Sequence, residues 1–152
     1  MDEKDRQIIR ALQRNGRATN LEVAAEVNLS PSPCLRRIRL LEESGAITGY
    51  RAIADQRAYG LPVTVFIRIR LERHSSETVK HFESRIRALD EVLECHLMTG
   101  AADYLLRVAV AGLEAYEDFI RNRIHPIGGI ASIDSSFAYG TVKNTGVFPL
   151  VD

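Results

Sequence analysis

Four arginines fall close together in this sequence, at positions 36, 37, 39 and 51. A guanidinium presents its donors in a planar fork that matches phosphate oxygens and the O6/N7 edge of guanine. Chemistry of that kind recognises anions; it does not break bonds. The other reactive residue types are scattered. Histidines stand at 74, 81, 96 and 125, no serine sits in a nucleophile motif, and no glycine-rich loop cradles a phosphate. Most of these histidines are expected at the surface or in the core; His96 is the one that could meet a buried ligand. Cys34 has no second Cys or His at metal-ligand spacing, and Cys95 has only the adjacent His96. The expectation is two reduced thiols, with no disulfide, metal or cofactor.

Twenty Lys and Arg balance twenty Asp and Glu, which argues against coating nucleic acid through bulk charge. The distribution is more telling than the total. Residues 1–54 carry nine basic against seven acidic side chains, and residues 55–152 carry eleven against thirteen. A short basic face on a neutral protein is what site-specific DNA binding requires. No basic-apolar-small leader begins the chain, and its longest apolar stretch, Tyr104 to Leu113, is interrupted by Arg107. The expectation is therefore a cytoplasmic protein without a membrane span.

The elements that hold the arginines can be read from periodicity. Ile8, Ile9 and Leu12 predict a first helix over Asp2 to Asn15, stopped by Gly16. Thr19-Asn20 starts a short second helix with Leu21, Ala24 and Ala25 inward, and Asn28 stands where a left-handed residue ends it. Ser30 then caps a third helix, with Pro31 at its first position and Pro33 still inside the first turn, where no hydrogen bond is lost. Leu35, Ile38 and Leu41 predict its buried stripe, Gly45 its end, and Ile47 to Ile53 an extended strand. Two short helices joined tightly, the second bearing arginines, match a helix-turn-helix; a plain three-helix bundle fits the same periodicity.

Residues 55–62, with Gly60 and Pro62, read as a linker between a domain over 1–54 and another over 63–140, followed by an extension over 141–152. Val63, Val65, Ile67, Ile69 and Leu71 alternate with polar and aromatic residues, which predicts a strand. A helix follows from Ser75-Ser76 with Val79, Phe82, Ile86 and Leu89 inward. Strands Val92 to Thr99 and Ala102 to Val110, a helix Leu113 to Ile124 and a strand Ile130 to Tyr139 complete the order βαββαβ. That order predicts a ferredoxin-like four-stranded antiparallel sheet with both helices on one face. The fold class is thus α+β. The other sheet face is expected to carry apolar side chains covered by a second copy in a symmetric dimer. Val147, Phe148, Leu150 and Val151 make the extension apolar enough to pack on a neighbour.

At this point the chain resembles the leucine-responsive regulatory protein/AsnC (Lrp/AsnC) family of prokaryotic regulators over nearly its whole length. Residues Leu29 to Ile38, reading LSPSPCLRRI, are similar to that family's recognition helix, and Leu41 to Tyr50 to the helix end and strand beyond it. Glu94 to Gly100 and Asp103 to Leu106 are similar to the hairpin of its ligand domain. The resemblance implies a winged-type helix-turn-helix and an effector-binding and assembly domain. It further implies double-stranded promoter DNA as partner, dimers assembling into tetramers or octamers, and an amino-acid effector bound between ligand domains.

Carried onto this chain, the DNA contacts are expected from Ser30, Ser32, Pro33, Arg36, Arg37 and Arg39. The serines can approach phosphates near a helix N-terminus, and the arginines reach guanine edges or backbone oxygens. Gly100, Asp103 and Tyr104 form the family's Gly-x-x-Asp-Tyr element, in which a carboxylate can receive an effector's ammonium. Ala101 stands where the family often has an acid, which leaves that pocket less negative. Ser136, Phe137 and Ala138 are expected to line the same pocket.

Two other readings are kept. A DNA-organising protein without effector response would bind most sequences with a steep salt dependence. A tetrapyrrole decarboxylase, a relative by resemblance, would use histidine and arginine to grip its substrate; the contact helix here keeps a DNA-reading pattern, and no enzyme is expected.

Overall fold

The computed structural model describes residues 1–151. The chain divides into two compact units, one of Met1–Ile53 with the segment from Val142 onward, the other of Ala54–Thr141. Each has its own apolar core.

In the first unit, α1 (Glu3–Arg14) begins with a reciprocal cap: Asp2 accepts from the Asp5 amide at 2.9 Å, and Asp5 accepts from the Asp2 amide at 2.8 Å. Thr19 and Glu22 make the same arrangement at the start of α2 (Asn20–Glu26). Asn28 then takes a left-handed φ of 54°, which turns the chain sharply into α3 (Pro31–Glu43). Asparagine tolerates that conformation because its short side chain hydrogen-bonds locally.

The core stripes depart from the periodicity at two places. On α2, Val23 and Ala24 are buried with Val27 just past its end, while Leu21 and Ala25, expected inward, are exposed. The short helix has apolar residues on two sides, and the valine pair four apart prevails. On α3, Cys34 joins Ile38 and Leu41 in the core, and Leu35, expected inside, lies at the surface. The strand expected over Ile47 to Ile53 does not form. Among the described residues no strand pairs with it: the Ile47 amide donates to the Leu41 carbonyl of α3 at 2.9 Å, and an extended segment without a partner strand leaves its amides and carbonyls to solvent. Near the C-terminus, Gln13 of α1 donates to the Gly146 carbonyl at 2.7 Å and accepts from the Phe148 amide at 3.1 Å, while Arg10 donates to the Phe148 carbonyl. The extension is thus held by its backbone, and the Phe148 ring stays exposed.

In the second unit, β1 (Val63–Leu71), α4 (Ser76–Arg87), β2 (Val92–Leu97), β3 (Tyr104–Val110), α5 (Leu113–Phe119) and β4 (Ile130–Phe137) follow in order. The strands are antiparallel in the order β2-β3-β1-β4. The expected helix to Ile124 is α-helical only to Phe119. It widens into a π turn over Ile120–Ile124 and closes in a 3-10 turn over His125–Ile127, where Pro126 has no amide to continue the ladder.

Val65, Ile67 and Ile69 are fully buried with Leu106 and Val108 beneath Phe82, Ile86, Phe119 and Ile124. The opposite sheet face is less apolar than expected. Glu94 accepts from Nη2 and Nε of Arg107, at 2.7 and 2.9 Å, and Arg68 pairs with Asp134 at 3.3 Å. Phe66, Leu105 and Ala109 are the apolar side chains of β1 and β3 on this face, which they share with Thr64, Arg68, Arg70 and Arg107.

Candidate functional site

The sequence-predicted residues fall into one group on the first unit and two on the second. On α3, Ser32, Leu35, Arg36, Arg39, Leu40 and Glu43 line a shallow depression of about 270 Å³. Their spacing of three to four residues puts them on the side opposite Cys34, Ile38 and Leu41. Arg36 and Arg39 are exposed, and no carboxylate among the described residues lies within ion-pairing distance of either. Both forks are available to an outside anion.

The start of α3 differs from the starts of α1, α2 and α4, whose caps accept a backbone hydrogen bond. The Ser30 side chain makes no such bond. Two of the first three helical positions are Pro31 and Pro33, which have no amide, and the Cys34 amide donates to the Ser30 carbonyl at 3.1 Å. The Ser32 amide and the Ser30 and Ser32 hydroxyls are what this helix end offers a phosphate, with the positive end of the helix dipole behind them.

Arg37 stands apart from its neighbours. It donates to Asp2 and to Asp5, both at 2.7 Å, and its side chain is 30% exposed. These bonds, to Asp5 first and Asp2 second, push its guanidinium above the ordinary arginine value. The sequence pattern could not find this contact, because the two acids lie more than thirty positions away. Arg37 ties α3 to the first turn of α1, where acids are also favoured by the dipole.

On the second unit, Gly100 takes a φ of 105° in the β2–β3 connection, a conformation that favours glycine. Asp103 is engaged on both oxygens: Oδ2 accepts from the Leu71 amide at 2.7 Å, and Oδ1 lies 2.8 Å from His74 Nε2. The Leu71 hydrogen bond and then that of His74 hold the carboxyl below the usual aspartate range. Tyr104 is buried against Phe82, with ring centroids 4.6 Å apart, and donates to Glu83 at 3.2 Å. Burial, followed by the Glu83 contact, pushes its phenol up to about 12.

Ser136, Phe137 and Ala138 lie elsewhere. Tyr104 pairs across from Ile69, whereas Phe137 pairs across from Val65, four residues along β1, or about 13 Å. Gly100 and Asp103 lie beyond Tyr104, so a single chain does not bring the two halves of the expected pocket together. Ser136 shares the open sheet face with Phe66. Phe137 points to the helical face, half-exposed and edge-on to Tyr116 at 5.0 Å, and the Ala138 amide donates to the Thr64 carbonyl at 2.9 Å. His96, the one histidine singled out as able to meet a ligand, is exposed on the open face, 3.3 Å from Glu94.

Sequence reasoning missed a groove of about 380 Å³ between α4 and β2, walled by Glu83, Arg87, Leu93, Cys95, Leu97 and Tyr104. The Glu83/Arg87 spacing of four was its one visible signal. Its charges are already matched, Arg87 to Glu83 at 2.9 Å and Glu83 to Tyr104, which leaves little polarity for a ligand. Among the described residues no cluster of His, Cys, Asp or Glu is arranged to hold a metal ion, and no helix is long and apolar enough to cross a membrane.

Comparison with known proteins matches residues 1–48 to a family model described as winged helix-turn-helix DNA-binding and residues 64–148 to one described as the Lrp/AsnC ligand binding domain. The Bkd operon transcriptional regulator of Pseudomonas aeruginosa is 40% identical over 150 residues, covering 99% of this chain and 98% of that protein. The leucine-responsive regulatory protein of Escherichia coli K12 is 36% identical over 130 residues, covering 86% and 79%. Among solved structures, a transcriptional regulator of Neisseria meningitidis in complex with L-Met superposes with a TM-score of 0.93 at 35% identity, covering 98% of this chain and 96% of that one.

Proposed function

Since this chain belongs to the Lrp/AsnC family of DNA-binding transcriptional regulators, we propose that α3 reads promoter DNA and that an amino acid bound by the ferredoxin-like unit sets how tightly it does so. The observation that carries the first half is the pair of exposed guanidinium groups of Arg36 and Arg39, without an ion-pair partner among the described residues, on the helix whose cap Ser30 makes no side-chain cap bond. Arg36 and Arg39 contact bases or phosphates, Ser30, Ser32 and Pro33 approach the backbone, and Arg37 acts mainly by holding α3 in place.

The effector is an amino acid, as in the Neisseria regulator bound to L-Met. Gly100, Asp103 and Tyr104 form one part of its site, and Ser136, Phe137 and Ala138 the other. Their separation along β1 supports a site completed by a second copy: the hairpin of one chain faces the β4 end of another. A homodimer assembling to a tetramer or octamer provides such faces. Asp103 must then exchange His74 for the ligand's ammonium group. The effector acts by linkage, since an amino acid that binds one assembly better shifts the spacing of the paired recognition helices. The protein works in the cytoplasm and catalyses no reaction.

Fluorescence anisotropy at physiological salt tests this, with the intergenic DNA upstream of the protein's own gene and a shuffled control. Tight binding to the native fragment alone, altered by an amino-acid pool, supports an effector-responsive regulator. Equal binding to both with a steep salt dependence would replace it by a DNA-organising role.

A further inference from the structure

Two leucines stand exposed among the polar residues of the α3 depression. Leu40 is 55% exposed and Leu35 38%, although Cys34, Ile38 and Leu41 of the same helix pack in the core. Neither leucine belongs to that core cluster. Their neighbours in the depression are Ser32, Arg36, Arg39 and Glu43. An apolar side chain held in water inside a ring of hydroxyl and guanidinium groups keeps an unfavourable exposure that burial against an apolar group would relieve.

We propose that Leu35 and Leu40 are specificity residues that take the C5-methyl groups of thymines next to the base pair met by Arg36. The inference rests on α3 being the DNA-reading helix. Arg36 follows Leu35 directly and lies one helical turn before Leu40, so the leucines flank it on the two sides of the outward stripe. The surrounding charge selects the partner. A rim containing Arg36, Arg39 and Ser32 favours a polyanion over an apolar peptide, and in the major groove of DNA the methyl of thymine is the apolar feature presented at a base edge. Glu43 closes the far end of the stripe, and its charge repels phosphates there, which confines close approach to the part of α3 that carries both leucines.

The duplex supplies its own probe, because deoxyuridine differs from thymidine only by the missing methyl. Sites would be selected from random duplex DNA with the full-length protein, and each thymine of the best site replaced singly by deoxyuridine. Burial of one methyl predicts a loss of about four-fold in affinity at one or more thymines beside a G·C pair. The Leu35→Ala/Leu40→Ala double variant should bind the thymine site more weakly and show no further loss with deoxyuridine. The single variants Leu35→Ala and Leu40→Ala assign the affected thymine to one leucine. Circular dichroism of each variant, which should match the parent because both residues lie outside the core, separates lost contacts from lost fold. A selected site at which no deoxyuridine weakens binding, or a double variant that keeps the full penalty, overturns this proposal while leaving the regulator reading intact. Failure to enrich any sequence overturns both.

Discussion

Arg36 and Arg37 are adjacent and chemically identical, yet they differ in what surrounds them. Arg37 is engaged by Asp2 and Asp5, and Arg36 faces outward with no carboxylate paired to it among the described residues. Arg36→Ala should therefore weaken binding to the specific site by about 1–3 kcal/mol with an unchanged melting temperature, as anisotropy and thermal denaturation would read. Arg37→Ala should lower the melting temperature and weaken binding to all sequences alike. Sequence alone identified both arginines as candidates, because residue type and helical position are local. It could not distinguish them, because the partners of Arg37 are reached only through the folded chain. The same holds for Asp103, whose hairpin was legible and whose bonds to Leu71 and His74 were not. Its carboxyl is held below the usual range, so its stabilising effect is complete above the ordinary aspartate value of about 4 and is lost as pH falls through the lower folded value. Acid titration of stability should show a shallower decline for Asp103→Asn than for the parent, and identical curves would show that the carboxylate contributes nothing.

Elements whose signal is local were read well. The β1 alternation, the Ser75 cap of α4 and the left-handed Asn28 all follow from side-chain sterics or from bonds within a few residues. Asn28→Gly should leave stability nearly unchanged, whereas Asn28→Val, which forces a β-branched residue into a left-handed φ, should cost about 1–2 kcal/mol in denaturant unfolding. Equal effects of the two would mean that the turn is not held by that backbone conformation. Where elements were misread, the missing information was tertiary. Leu21 and Leu35 satisfy a helical period as well as the residues that replace them inside, and the expected strand over Ile47 to Ile53 has no partner strand among the described residues. In the second unit, Phe82 is 1% exposed and packs, tilted, against the Tyr104 ring. Phe82→Ala should cost about 3–5 kcal/mol and loosen the same helix-sheet contact that fixes Tyr104.

For the whole molecule, the proposed reading places all of its DNA contacts on one element, α3, whereas the two groups proposed for the effector lie apart on the sheet of one chain. The βαββαβ order was readable because alternation and helical period are local, and the sheet order follows from it. The separation of Phe137 from Tyr104 was not readable, because it depends on which ends of β4 and β3 meet β1. Asp103→Ala should abolish the change in DNA affinity caused by an amino acid while leaving binding of the ligand-free protein to DNA intact. The most direct measurement is reciprocal titration. The affinity for the selected DNA is measured with and without L-Met and each other amino acid in turn, and the affinity for any active amino acid is measured with and without that DNA. The account predicts that each ligand changes the other's dissociation constant by the same factor, on the order of 5- to 150-fold. If every amino acid binds the free and DNA-bound protein equally, or binds neither, the ferredoxin-like unit does not govern α3 and the account is contradicted.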